Sequence, residues 1–153
     1  MNILKALKAD HQTVKDILEE ITETSDRAEK KRMELFAKFK AEIVAHARSE
    51  EKVVYDRLKP KIEKDDRASI MEAYEEHYVV DKLIPEIEGL SPKDETWLAK
   101  VTVVKEALEH HIKEEESEIF AMVRKQFDAE TQEEMATDFE SLKSQIKTKA
   151  KAA

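Results

Sequence analysis

Two segments of the chain are each repeated about 65 residues later. The segment DHQTVKDILEEI aligns with EHYVVDKLIPEI, and HARSEEKVVY aligns with HIKEEESEIF. Around these segments, apolar residues recur at alternating spacings of three and four, which predicts helices with one buried stripe each. Two equivalent helical hairpins packed together make an all-α, up-down-up-down antiparallel four-helix bundle. We predict that architecture.

The C-terminal part of the chain predicts one more helix. Asp128 is a candidate N-cap for it. Its apolar stripe consists of Met135, Phe139, Leu142 and Ile146. We therefore predict that residues 1–127 form the bundle, and that residues 128–153 form an accessory C-terminal helix and tail in the same domain. The sequence does not indicate where this helix packs.

Local signals predict two further details of the helices. Ser91 and Pro92 predict the start of the fourth helix, with Ser91 as the cap and Pro92 at the first helical position. Pro85 lies near the end of the third helix. Because proline lacks the backbone N–H group, we expect a kink or a loosened last turn there.

Composition narrows the chemistry that this chain can support. It has 153 residues, of which 41% are charged, a net charge of −8 and no cysteine. This acidity argues against nucleic acid as a partner, and no apolar run approaches the roughly 18 residues that span a bilayer. The lack of cysteine excludes thiolate metal sites and cysteine nucleophiles. We expect a cytoplasmic protein with no nucleic-acid or membrane partner, whereas a protein partner cannot be predicted.

Each of the four bundle stripes contains one histidine: His11, His46, His77 and His111. In antiparallel neighbours, two residues lie at the same level when they are equally far from the connection between their helices. The midpoints of consecutive histidine pairs fall at residues 28–29, 61–62 and 94, in or beside the predicted helix breaks. We therefore expect the four histidines to meet at one level of the bundle.

A glutamate follows the second histidine of each hairpin by four residues, which places it one turn further along the same face. These glutamates are Glu50 and Glu115. Taken singly, a histidine on an apolar stripe is more often a hydrogen-bonded core residue than a metal ligand, and a glutamate there is often at the surface. Taken together, four imidazoles and two carboxylates in one buried layer would be very costly without compensation. A pair of cations supplies that compensation.

The types of ligand restrict the metal. Imidazole nitrogen and carboxylate oxygen suit iron, zinc or manganese. If both carboxylates bridge two ions and each ion binds two imidazoles, coordination positions remain for water or a reactant. Open positions of this kind are typical of reactive metal sites, not of structural ones.

This pattern of residues resembles the hemerythrin-like domain, the HHE cation-binding family. The resemblance runs from Leu4 to about Phe127, and the acidic pairs Glu50–Glu51 and Glu115–Glu116 fit it. It implies two non-heme iron ions, bridged by Glu50, by Glu115 and by an oxo or hydroxo group derived from solvent. It also implies that the terminal ligands are His11, His46, His77 and His111.

Two further residues near the histidines need separate treatment. Oxygen-carrying hemerythrins have another histidine four residues after the one that matches His77, where this chain has Asp81. Asp81 either reaches the metal as an oxygen ligand or faces water and leaves another position open. His110 is rotated by about 100° from His111 on a helix, so we expect it to face a neighbouring helix or solvent and not the metal.

Three functions are compatible with the predicted centre. The first is a di-iron protein that binds dioxygen, or another small diatomic such as nitric oxide, at an open iron position. The second is a di-iron oxidoreductase that acts on peroxide like a peroxidase or catalase, or a protein of oxidative or nitrosative stress defence. The third is an interaction module that senses iron or oxygen through the stability of the bundle. The sequence identifies no catalytic residue that would decide between them.

Overall fold

The computed structural model describes residues 1–152, and this part of the chain contains five long helices. They are α1 (Ile3–Thr22), α2 (Glu29–Glu50), α3 (Lys64–Glu88), α4 (Glu95–Glu114) and α5 (Ala129–Ala152). Helices α1 to α4 form the predicted antiparallel bundle. The fold prediction is confirmed, including the additional C-terminal helix.

Both α2 and α4 continue through a π-helical turn. After α2 come a π turn (Glu51–Tyr55), a short helix (Asp56–Leu58) and a 3-10 turn (Lys59–Lys61), and after α4 come a second π turn (Glu115–Ile119) and a helix (Phe120–Gln126). In each π turn a backbone N–H donates to the carbonyl five residues earlier, from Asp56 to Glu51 and from Phe120 to Glu115. The two π turns occupy matching places in the two hairpins, and the spacing of apolar residues did not predict them.

Helix α5 packs against α1 and α2. Its side chains Met135, Ala136 and Phe139 are buried there. The Asp128 carboxylate accepts a hydrogen bond from the Thr131 N–H at 2.8 Å, which confirms the predicted cap. The accessory helix therefore covers one side of the bundle only.

One detail of the helices differs from the expectations, and a second concerns Pro85. Helix α4 begins at Glu95 and is capped by Asp94, whose side chain accepts from the Thr96 N–H, so the assignment of Ser91 as the cap was wrong. Helix α3 continues through Pro85 to Glu88. Because the helix ends three residues later, the proline disturbs only its last turn, and the Gly89 N–H still donates to the Pro85 carbonyl.

The core consists of two apolar clusters at opposite ends of the bundle. One contains Leu7, Val53, Ala73 and Ile119, and the other contains Val14, Ile43, Val80 and Leu108. Along each of α1 to α4 and its continuation, one histidine lies between a residue of the first cluster and a residue of the second. The histidine layer therefore separates the two clusters. Within residues 1–152, no helix is both long and apolar enough to cross a membrane.

Arg32 links two of the connections between helices. Both lie at the end of the bundle that is far from the N-terminus of α5. The Arg32 side chain is only 3% exposed. The guanidinium donates to the Thr24 carbonyl at 2.9 Å and to the Pro92 carbonyl at 2.6 Å, and it lies over the Trp97 ring. One side chain thus links the α1–α2 connection to the α3–α4 connection.

We expect Arg32→Met to lower the free energy of unfolding by about 2–4 kcal/mol, because it leaves buried carbonyl groups without donors. Urea unfolding of the cation-free protein measures the change. Lys31→Met is the matched control, since Lys31 is 57% exposed and its ion pair in the described part of the chain is with Glu20 at the surface. A loss below about 1 kcal/mol in Arg32→Met, equal to that of the control, would contradict this role.

Candidate metal centre

The structure brings the six predicted ligand residues together in one layer. They are His11, His46, Glu50, His77, His111 and Glu115, and each is at most 4% exposed. Their side chains come from four different helices, and the two glutamates lie where α2 and α4 pass into their π turns. The level predicted from the midpoints of the helix connections is therefore the level at which they meet.

These side chains form two overlapping groups that could each hold a metal ion. In one group the ligand atoms of Glu50, His77, His111 and Glu115 all lie within 4.8 Å of one another, and in the other those of His11, His46 and Glu50 do so. Glu50 belongs to both groups. Glu115 also reaches both, because its Oε1 lies 3.0 Å from His11 Nε2 and its Oε2 lies 3.3 Å from His111 Nε2.

The distances between these atoms match those between neighbouring ligands of one ion. The Nε2 atoms of His77 and His111 lie 3.2 Å apart, and His77 Nε2 lies 3.3 Å from Glu50 Oε1. Two adjacent ligands of an octahedral ion with bonds of about 2.1 Å are separated by about 3.0 Å. The donor set is thus already arranged at coordination distance.

Several buried polar atoms in this layer have no hydrogen-bond partner among residues 1–152. They are His11 Nε2, Glu50 Oε2 and Glu115 Oε1. His11 Nε2 and Glu115 Oε1 lie close together but not in hydrogen-bonding geometry. An unsatisfied buried polar group costs about 1–3 kcal/mol, so three at one place indicate a missing partner that a cation would fit.

Each histidine is held from outside by a carboxylate. The Nδ1 atoms of His11 and His77 lie 2.7 Å from Glu116 and Glu51. Those of His46 and His111 lie 2.9 Å from Asp10 and 2.8 Å from Glu76. Because an ionised carboxylate only accepts, Nδ1 carries the hydrogen and Nε2 faces the centre. Outer partners of this kind orient metal-binding imidazoles and raise their basicity.

Two of these outer carboxylates, Asp10 and Glu76, were missed by the sequence reasoning. A signal was present, because each directly precedes the first histidine of its hairpin, as the dipeptides DH and EH. Glu51 and Glu116 belong to the acidic pairs noted above. The four carboxylates thus form two equivalent pairs, one carboxylate of each pair in each hairpin.

The charges in the layer compensate one another. Burial by itself lowers the pKa of His46, but the Glu50 carboxylate and the hydrogen bond to Asp10 outweigh it and raise that pKa to about 10. Burial is likewise outweighed at His111, where Glu115 and Glu76 raise the pKa to about 10. Burial raises the pKa of Glu115, but the neighbouring imidazoles of His11 and His111 outweigh it and hold that pKa well below its usual value. Without cations, protonated imidazoles thus neutralise the carboxylates.

Tyr55 is a seventh polar group at the centre. Its side chain is fully buried, and its hydroxyl donates to Glu50 Oε1 at 3.0 Å and also to Glu115. Burial and the two carboxylates raise its pKa well above the usual value, so the phenol stays protonated in the cation-free protein. Its ring stacks on His77 with centroids 5.5 Å apart.

The π turn explains why the sequence did not reveal Tyr55. Five residues of an α-helix turn through about 500°, which would leave Tyr55 about 140° away from Glu50. A π turn pairs residues five apart, and so it brings Tyr55 back over Glu50. The matching residue of the second hairpin is Phe120, which stacks on His11 with centroids 6.3 Å apart. The hydroxyl is therefore present in only one half of the centre.

The sequence profile described as the hemerythrin HHE cation binding domain matches residues 2–123. The chain belongs to the hemerythrin HHE cation-binding family. The match includes all six central residues and ends before α5. A cation-binding function agrees with the two groups of histidine and glutamate found in the layer.

Two known proteins resemble this hemerythrin-like chain. A protein of Nostoc sp. (strain PCC 7120) named DNA nickase is 30% identical over 146 residues, which cover 95% of this chain and 40% of that protein. The chain thus spans less than half the length of this relative. The crystal structure of a hemerythrin HHE cation binding domain-containing protein from Mycobacterium kansasii has a TM-score of 0.83 at 22% identity, covering 98% of this chain and 90% of that one. This second likeness supports the fold.

Asp81 and His110 lie outside the layer of this hemerythrin-like domain. The Asp81 carboxylate accepts from Arg48 at 2.8 Å, and Arg48 also binds Glu51. Asp81 thus forms an ion pair with Arg48 outside the layer. It does not belong to any ligand group found within residues 1–152. His110 is 63% exposed and lies 3.2 Å from Glu114. It faces away from the centre, in agreement with its predicted rotation.

We expect Glu116→Ala to weaken cation binding at the His11 side by about 10–100-fold, because His11 loses the partner that orients it. Competition with a chromophoric chelator measures the affinity. Glu109→Ala is the control, since Glu109 lies about two turns before Glu116 and its ion pair within residues 1–152 is with Lys105. Equal affinity in the two variants would show that Glu116 does not support the ligand.

Proposed function

We propose that this hemerythrin-like protein holds two iron ions and binds dioxygen, or a related small diatomic such as nitric oxide, at an open iron position. The observation that supports it most is the shared donor set. Four imidazoles and two bridging carboxylates offer at most eight donor atoms, whereas two six-coordinate ions have twelve positions. Nitrogen and oxygen ligands with open positions are typical of non-heme iron sites that react with oxygen.

The chain's own residues hold the ions and limit what reaches them. A cavity of about 10 Å³ between α3 and the second π turn is lined by both His111 and Glu115. This is room for about one water molecule, so an organic substrate does not fit in it. The iron pair would supply electrons and vacant positions, while the apolar clusters on both sides exclude bulk water.

The test is an optical titration of protein reconstituted anaerobically with ferrous iron. We expect two irons per chain, a ferric charge-transfer absorption after exposure to air, and a shift of that absorption on adding azide. Nitric oxide added to the ferrous protein should give a separate absorption. Two bound irons whose spectrum responds neither to azide nor to cycling between reduction and air would contradict the proposal.

The second candidate is an oxidoreductase that consumes peroxide, and Tyr55 favours it. A buried phenol hydrogen-bonded to both central carboxylates can donate a proton or a hydrogen bond to a small ligand in the layer. If peroxide is the substrate, we expect Tyr55→Phe to retain two irons and lower peroxide turnover by about 10²-fold. Oxygen evolution from peroxide measures the rate. Unchanged turnover in Tyr55→Phe would exclude this role.

The third candidate is a sensing module, and the greater length of the Nostoc relative bears on it. Its name refers to DNA, and its length leaves room for a further domain beyond the region matched here. The net charge of −8 argues against DNA as a partner of this chain. We propose a cytoplasmic domain without nucleic-acid or membrane partners. Fluorescence anisotropy with duplex DNA at low salt tests this, and saturable binding would contradict it.

A further inference from the structure

The four outer carboxylates differ in what lies beyond them. Asp10 binds Lys143 of α5 at 2.8 Å, and Glu51 binds Arg48 at 3.0 Å. Glu116 borders a groove lined by three lysines, Lys8, Lys15 and Lys113. On each of these three sides, at least one lysine or arginine lies beside the outer carboxylate.

The fourth side, beyond Glu76, is acidic. The cavity that leads to His111 and Glu115 is also lined by Glu72, Glu76, Glu114 and Glu118, and no lysine or arginine is among its lining residues. Glu115, which lines this cavity, is 1% exposed, and its Oε1 has no hydrogen-bond partner among residues 1–152. An acidic cleft with low-dielectric walls concentrates cations at its mouth.

A group of three side chains at this mouth could hold a metal ion. The ligand atoms of Glu76, His110 and Glu114 lie within 4.8 Å of one another. His110 Nε2 is 3.2 Å from Glu114 and 3.9 Å from Glu76. Glu76 contacts both the central layer and this group of three. Its Oε1 accepts a hydrogen bond from His111 Nδ1 at 2.8 Å, while its Oε2 faces His110.

We propose that Glu76, His110 and Glu114 form a loading site that binds a divalent transition-metal ion from solvent and passes it through the acidic cavity to the centre. This inference rests on the proposed metal centre and adds a route to it. The site is partly exposed and offers few ligands, so it binds an ion weakly and releases it. The buried layer, with four imidazoles and two carboxylates, then retains the ion.

The experiment is stopped-flow loading of the cation-free protein with ferrous iron under anaerobic conditions, with metal analysis after equilibration. The test variant combines His110→Ala with Glu114→Gln, since the ion pairs of these two side chains within residues 1–152 join them to each other and to Glu76, and not to the central layer. Glu106→Gln is the control. Glu106 is exposed on α4, one turn before His110, and lies outside the cavity lining. Thermal unfolding of each cation-free variant checks that the fold is intact.

We expect two irons per chain at equilibrium in all three proteins, and a loading rate at low salt that falls at least tenfold in the double variant only. The wild-type rate should also decrease with ionic strength more steeply than that of the double variant. Equal loading rates in wild type and double variant, with both reaching two irons, would overturn the route alone. Failure of the wild type to bind iron would overturn the proposed function, and the route with it.

Discussion

Glu50→Gln is expected to weaken the binding of both cations, not of one. Glu50 Oε1 lies 3.6 Å from His46 Nε2 and 3.3 Å from His77 Nε2, so the same carboxylate serves both ligand groups. The amide removes a negative charge and one oxygen donor at the place where two ions would share them. Because loss of an outer partner already costs about 10–100-fold in affinity, we expect more than 10²-fold at each position. Metal analysis after dialysis should find well under one iron per chain.

Two other variants make this result specific. His77→Ala removes a ligand from one group only, so it should retain about one iron per chain under the same dialysis. Glu75→Gln makes the same chemical change as Glu50→Gln at an exposed position on α3 and should retain two. Two tightly bound irons in Glu50→Gln would show that this carboxylate is not shared, and the dinuclear arrangement would then be wrong.

Removal of the cations is expected to lower the melting temperature by about 10–20 °C. A ligand present at 100 times its Kd stabilises the folded state by about 2.7 kcal/mol per site, and each kcal/mol shifts the melting temperature of a chain of this size by about 2–4 °C. Differential scanning calorimetry of the iron-loaded and chelator-treated protein measures the difference. A shift below about 3 °C would mean that the layer is stable without cations.

The stability of the cation-free protein and its affinity for cations should change with pH in opposite directions. In the cation-free protein, the pKa of His46 and of His111 is raised from 6.5 to about 10. Their contribution to stability is complete below pH 6.5 and is lost as the pH rises through about 10. The lowered pKa of Glu115 acts at the other end, because its contribution is present above pH 4.5 and is lost as the pH falls through the folded value.

Cation binding needs neutral imidazoles, so affinity should rise with pH where the cation-free protein becomes less stable. Loading near pH 8 should therefore release protons from His46 and His111, which an indicator dye detects in weakly buffered solution. Uptake without proton release would contradict the raised pKa values. A second run with the Glu75→Gln variant should release the same number of protons as the wild type.

The sequence predicted the parts of the centre that follow from regular helices. His11, His46, His77 and His111 could be placed at one level because α-helical rise and the positions of the connections determine that level. Glu50 and Glu115 could be assigned to the same faces because they follow a histidine by four residues. Whether these six residues bind iron stays a prediction, which the metal analysis above tests.

What could not be predicted depends on irregular backbone or on contacts between helices. Tyr55 reaches the layer only because a π turn changes the angular spacing after Glu50. Asp81 was left open between metal and solvent, and its position depends on Arg48 of another helix, which binds it. The choice of Asp94 over Ser91 as a cap was equally undetermined, since both residue types accept hydrogen bonds from backbone N–H groups.

The charged layer between the two apolar clusters has a consequence for how the protein opens. Helices usually exchange their amide hydrogens fastest at their frayed ends. Each of α1 to α4 passes from one apolar cluster through the layer of histidines and glutamates to the other cluster, so we expect the least stable part of the cation-free bundle to lie at mid-length. Water would enter at the histidine layer while the apolar clusters at both ends of the bundle stay packed. Bound cations would then couple the two apolar clusters, which otherwise open independently of each other.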